Sequence, residues 1–371
     1  MRILQLAPLW ENVPPPAYGG TEAVVHDLTE GLMAVGHDVT LFATGHSRTS
    51  ARHLSVYDRP LRSESQLKEK APYEYVHAAS ALAEAAQDYD VIHNHAGGLP
   101  IAFAGLIDTP MLSTKHCLVE PDWEFVWRRY RGYYNTISRR AYACLPDSLG
   151  GTYVGHVYNG IDVESFPYNA TKDDYLLFLS RIAPEKAPHL AIEAALKSGT
   201  RIVIAGKVDP NPRDEQYFDE VIKPLIDGRR VEWFGEADAV QKRDLYRNAR
   251  ALLLPIVWEE PFGLVMVEAM ACGTPAIVFR RGAAPEVVAD GVSGFLVDDV
   301  DGMVDAISRL DELSAAACRR HAFESFDTSV MVNSYIEVYT EILDRENKET
   351  AAAVDRLMRD SAPETARWRG R

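Results

Sequence analysis

Residues 251–275 read ALLLPIVWEEPFGLVMVEAMACGTP. The run predicts a buried strand, a sharp loop and a helix that is apolar on every face and holds one charge, Glu268. A buried carboxylate needs a partner, because burying even a neutral polar group alone costs roughly 2–7 kcal/mol. An Arg or Lys elsewhere in the chain is one candidate partner, and a ligand hydroxyl is the other. A second carboxylate, Glu260, precedes it in the loop, and at about 1.5 Å per helical residue the two can stand on the order of 10 Å apart. That is the scale of a nucleotide-sugar. Gly263, between them, is expected to start the helix, where close backbone approach and free N–H groups suit a phosphate.

Outward from this stretch, strands and helices alternate. In the C-terminal part, YLLFLS, RIVIAG, VEWFG, PAIVF and GFLV read as further strands, separated by helical segments that include APHLAIEAALKSG and AVQKRDLYRNA. The N-terminal part repeats the pattern with RILQLAP, HDVTLFAT, DVIHNH, PMLSTKH, YYNTIS and TYVGHVYNG. Between them Asn159-Gly160 and the polar IDVESFPYNATKDD mark a domain boundary. The expected fold class is therefore α/β, two Rossmann-like domains with parallel sheets, divided as 1–163 and 164–327. A helix over 328–346 spaces Val330, Val332, Tyr335, Val338, Tyr339 and Ile342 on one face and is long enough to cross to the other domain. Residues 347–371 are expected to fray or dock weakly, through Leu357, Met358 and Trp368.

Composition narrows the function. At 371 residues the chain exceeds the usual limit of one core, and 47% hydrophobic with 25% charged residues is a globular composition. A net charge of −15 argues against broad nucleic-acid or anionic-membrane binding. Cys117, Cys144, Cys272 and Cys318 are scattered without a CxxC pair, which suits reduced thiols. With no long apolar run and no leader pattern, the expectation is a soluble, unprocessed, cytoplasmic protein without a transmembrane segment.

In open parallel sheets ligands sit beyond the carboxyl ends of the strands, so the loops there are the candidates. Gly19 and Gly20 lead from the first strand into a helix and offer backbone N–H groups to a diphosphate, although an ordinary tight turn uses the same pair. Arg181 and Lys186, in SRIAPEK, follow another strand and can flank a diphosphate; a solvated basic loop reads the same way. His116 closes a short strand where it can bond a sugar hydroxyl or serve the core, and His93 and His95 rank below it. The stretch WEFVWRRYRGYY interleaves Trp127 and Tyr130 with Arg128 and Arg131, a basic aromatic island that either binds an acceptor by stacking and charge or simply covers core. Asp88-Tyr89-Asp90 and Asp299-Val300-Asp301 match a metal-binding spacing but precede a strand and a helix respectively, so no metal is expected.

These motifs together resemble a retaining glycosyltransferase of the GT-B fold, family 4, over nearly everything up to Glu346. Its most specific part is Glu260-PFGLVMV-Glu268 followed by AMACGTP, with AYGGTE, GHDVTLFA, VYNGID, SRIAPEK and GAAPEVVADGVSGFLV beside it. The resemblance implies that Glu260 and the backbone of Phe262, Gly263 and Leu264 hold a donor sugar, that His116 contacts it near the 6-hydroxyl, and that Glu268 binds ribose. It also implies that Arg181 and Lys186, with Gly19 and Gly20, hold the diphosphate, and that the 328–345 helix returns to the N-terminal domain. The backbone near Phe234 and Gly235 is expected to meet the base. Ser180 and Ala187 stand where glycines are common in the family, and Gly206-Lys207-Val208-Asp209 lacks a second glycine. The donor is expected to be a UDP-, GDP- or ADP-sugar and the acceptor a carbohydrate, lipid-linked or small-molecule hydroxyl, with no cofactor required. A nucleotide-sugar epimerase, or a sugar-binding module without turnover, are the alternatives on the same scaffold.

Overall fold

The computed structural model describes residues 1–17, 19–86 and 88–360, without the side chains of 353–360. Thirteen named strands form two wholly parallel sheets among these residues. In the first lie β1 (Arg2–Leu6), β2 (Asp38–Phe42), β3 (Arg52–Leu54), β4 (Val91–Asn94), β5 (Met111–Lys115), β6 (Tyr133–Thr136) and β7 (Thr152–His156), in the order β3-β2-β1-β4-β5-β6-β7. The second holds β8 (Leu176–Leu179), β9 (Ile202–Ala205), β10 (Val231–Gly235), β11 (Ala251–Leu254), β12 (Ala276–Phe279) and β13 (Gly294–Val297), in the order β10-β9-β8-β11-β12-β13. Strands such as Leu176–Leu179 and Ala251–Leu254 are buried at every position, as a sheet covered on both faces requires. The order reverses beside β1 in one sheet and beside β8 in the other, and a crevice opens at such switch points.

The chain passes between the sheets twice at one place. Ile161 N donates to Phe326 O at 3.0 Å and Thr328 N donates to Ile161 O at 2.9 Å. Ile161 and Val163, expected to end the first domain, are instead buried in the second core with Phe166 and Phe326. The returning helix is longer than expected. It runs Thr328–Asp360, about 50 Å at 1.5 Å per residue, rather than ending at 346. Val332, Tyr335, Val338, Tyr339 and Ile342 lie in the N-terminal core against Val24, Leu28 and Leu32, whereas Val330 is exposed and Met331 takes its place. Gly31 makes that packing close: a Cβ there would lie 2.5 Å from Val332 Cγ2. The side chains of Leu357 and Met358, and all of Trp368, fall outside the described residues.

Candidate active site

The cleft of about 460 Å³ between the sheets is lined from both sides, by Gly19, Gly20 and Asp27 of the first domain and by Arg181, Lys242 and Glu268 of the second. Two helix starts meet across it. Gly19, at φ +147, admits the helix Gly20–Ala34 directly after the β1 loop, and Gly263, at φ +88, admits Leu264–Ala271. A Cβ on Gly20 would lie 3.4 Å from Leu264 Cδ1, so the two N-termini converge on one space. Each brings unpaired backbone N–H groups and the positive end of a helix dipole, which together favour an anion.

Glu268 is 7% exposed and is held by two side chains, Lys242 with Nζ at 2.6 Å from Oε1 and Tyr246 with its hydroxyl donating to Oε2 at 2.8 Å. Lys242 and Tyr246 stand four residues apart on the helix Ala239–Asn248 and so face the same way. Burial and the Glu268 charge push the Tyr246 phenol well up. Sequence reading missed both residues: their i, i+4 spacing puts them on one stripe but does not say what they face.

Glu260 and Lys186, expected on separate tasks, form one ion pair. Trp258 Nε1 also donates to Glu260 at 2.8 Å, and its ring lies 4.9 Å from Lys186 Nζ. Arg181 is held by carboxylates: Asp214 at 2.9 Å, Asp209 at 3.5 Å, and Glu185 four residues on in the same loop. Lys207 lies 3.8 Å from Asp209 and also lines the cleft. Ala187 takes φ +50, a left-handed conformation usually left to glycine, which is the physical reason a glycine suits that position.

His116 follows β5 and accepts or donates through Nε2 to His95 Nδ1 at 2.8 Å; burial pushes its pKa down to about 3, so the ring is neutral. The next residue, Cys117, feels the charges of both Glu260 and Lys186 from the other domain. Of the turn after β10, Glu236 and Ala237 line the cleft, while Phe234 is 38% exposed beside Gly235 at φ +89. The Phe262 ring packs in the core against Tyr158 and Phe326, leaving its backbone beside Gly263.

The aromatic island separates into two faces. Trp127 and Tyr130 are each 1% exposed, and the Tyr130 hydroxyl donates to Met111 O at 2.7 Å. Neither ring is open to stack on an acceptor: both are buried, while Arg128 and Arg131 stay at the surface together with Trp123 and Phe125 of the short helix Pro121–Trp127. Asp299 accepts from Gly302 N at 2.8 Å as a helix cap, and Asp88 and Asp90 bond Arg2. Among the described residues no three metal-ligating side chains gather, and no helix is long and apolar enough to cross a membrane.

Two family models match the chain: Glycosyltransferase Family 4 over residues 18–146 and Glycosyl transferases group 1 over residues 161–323. The glycogen synthase of Mycobacterium tuberculosis is 28% identical over 91% of this chain and 94% of its own. The phosphatidyl-myo-inositol mannosyltransferase of Mycolicibacterium smegmatis is 28% identical over 91% and 93%. Among solved structures, AviGT4, a glycosyltransferase involved in avilamycin A biosynthesis, is 25% identical and superposes with a TM-score of 0.70 over 93% of this chain and 98% of its own.

Proposed function

The chain is a GT-B glycosyltransferase of the family 4 type, and on that footing we propose that it transfers a hexose-type sugar from a nucleoside diphosphate to an acceptor hydroxyl with retention of anomeric configuration. The observation that carries this reading is the meeting of two helix N-termini, at Gly20 and Leu264, in a cleft lined by Arg181, with Lys186 paired to Glu260 next to Gly263. A diphosphate seated there gains the most when its charge grows, as the glycosyl bond breaks through an oxocarbenium-like transition state. Preorganised cations and backbone N–H groups then serve the leaving phosphate, and the reading requires no metal.

The remaining roles follow from position. Glu260 and the 262–264 backbone take the sugar, with Lys186 set by its pairing to Glu260 and shared with the phosphate. Glu268, oriented by Lys242 and Tyr246, offers its remaining lone pairs to ribose hydroxyls, and the turn at 234–237 meets the base. His116 takes a sugar hydroxyl. The acceptor attacks from the face that the phosphate leaves, and a phosphate oxygen receives its proton, so no side-chain nucleophile is assigned. Two of the relatives named above are a glycogen synthase and a phosphatidyl-myo-inositol mannosyltransferase; we place the acceptor of this chain on the first-domain side of the cleft. Proton NMR of the glycosyl product formed from an α-linked donor tests the proposal: an α product supports it and a β product overturns it.

A further inference from the structure

A continuous chain of buried polar side chains runs from the returning helix, beneath the first sheet, to His116. Asn135 Nδ2 donates to Thr136 O at 3.4 Å and to the Tyr335 hydroxyl at 3.3 Å, which leaves Asn135 Oδ1 to accept from Thr114 Oγ1 at 2.7 Å. A backbone carbonyl can only accept, so this end of the chain has a fixed direction. With its proton committed, Thr114 Oγ1 must accept from His93 Nε2 at 2.6 Å and from the Tyr335 hydroxyl at 3.1 Å. His93 is wholly buried and neutral, so its Nδ1 carries no proton and accepts from the Tyr339 hydroxyl at 2.6 Å. Tyr339 in turn accepts from Gln5 Nε2 at 3.1 Å, which turns Gln5 Oε1 towards His95 Nε2 at 2.9 Å. His95, also neutral, therefore holds its proton on Nε2 and accepts at Nδ1 from His116 Nε2 at 2.8 Å. Every link agrees with the one before it. His116 Nδ1 is neither bonded to a described residue nor sealed among the buried unpaired atoms.

We propose that Tyr335 and Tyr339 of the returning helix are positioning residues for the donor site: acting through Gln5, His93 and His95, they hold His116 as the Nε2–H tautomer, so that Nδ1 stands as a hydrogen-bond acceptor. This rests on the reading of His116 as a contact of the donor sugar. It deepens that reading by fixing the chemistry of the contact: Nδ1 takes a hydroxyl proton and offers nothing to a carboxylate, so a hexose is accepted and the corresponding hexuronate is not. It also links the two domains, since the helix that sets the tautomer is reached only after the whole second domain has been traversed.

Long-range ¹H–¹⁵N correlation on the full chain labelled at histidine, with His116 assigned from His116→Gln, tests this directly. The expected wild-type pattern is a protonated Nε2 and an unprotonated Nδ1 for His116; a protonated Nδ1 overturns the proposal. Tyr339→Phe removes the link between Gln5 and His93, and should give His116 a mixture of tautomers together with a several-fold rise in KM for the donor and an unchanged Kd for the free nucleoside diphosphate. Gln5→Met breaks the chain one link nearer and should give the same mixture should the tyrosine variant fold poorly. A single Nε2–H tautomer in a folded variant overturns the relay. If instead His116→Ala leaves donor KM unchanged, the sugar contact fails while the wild-type tautomer result still stands on its own.

Discussion

Lys242 Nζ lies 2.6 Å from Glu268 Oε1, with Glu268 only 7% exposed, so the one charge in an otherwise apolar helix is neutralised from a neighbouring helix. Removing the cation strands the carboxylate. Lys242→Ala is expected to lower stability by about 2 kcal/mol and Tyr246→Phe by about 1 kcal/mol in urea denaturation. The pair Lys242→Met with Glu268→Gln should recover most of that loss while nucleotide affinity falls in calorimetry. Recovery of affinity along with stability would contradict a ligand role for Glu268.

Lys186 is paired with Glu260, and in the proposed reaction its charge serves the leaving phosphate. Lys186→Ala should lower kcat by about 10²- to 10³-fold with a much smaller change in nucleotide Kd. A kcat within a few-fold of wild type would remove it from the transition state.

Gly31 and Val332 join the returning helix to the helix Gly20–Ala34 with no room for a methyl group. Gly31→Ala should cost about 1–3 kcal/mol, the usual range for overpacking. Adding Val332→Ala opens the space again, so the double variant should be more stable than the sum of the two single losses. Strict additivity would show that the helices do not meet there.

Glu22 stands in the first turn of the helix Gly20–Ala34 and is 5% exposed; burial, with the neighbouring Glu11 adding to it, pushes its pKa up to about 7. A carboxyl whose folded pKa is raised stabilises the fold below its unfolded pKa, near 4.5, and loses that contribution as pH rises to about 7. Glu22→Gln should therefore gain at most about 3 kcal/mol over wild type at pH 8 and little at pH 4. Equal gains at both would refute the shift.

Strands such as Leu176–Leu179, Ile202–Ala205, Ala251–Leu254 and Ala276–Phe279 were legible because each is an unbroken apolar run; β3 was not, because Arg52-His53-Leu54 is a three-residue polar edge. The helix start at Leu264 was legible from Gly263, and Gly19 with Gly20 pointed to the first helix, which itself begins at Gly20. What faces a side chain was not. Periodicity puts Lys242 and Tyr246 on one stripe, but nothing local says that Glu268 lies opposite, and no spacing rule joins His93 to Tyr339. Trp127 and Tyr130 mislead for a related reason: interleaved arginines look like a binding surface, while Arg128 and Arg131 stay at the surface and those two rings are buried. Sequence records neighbours along the chain, whereas the contacts that orient Glu268, Lys186 and His116 all come from elsewhere in it.

The central claim, that the cleft is a nucleoside-diphosphate site, is tested most directly by thermal unfolding with UDP, GDP and ADP. At about 100 times its Kd, the matching diphosphate adds roughly 2.7 kcal/mol and so should raise Tm by several degrees, and Glu268→Ala should lose that rise. No shift of wild-type Tm with any of the three would contradict the account.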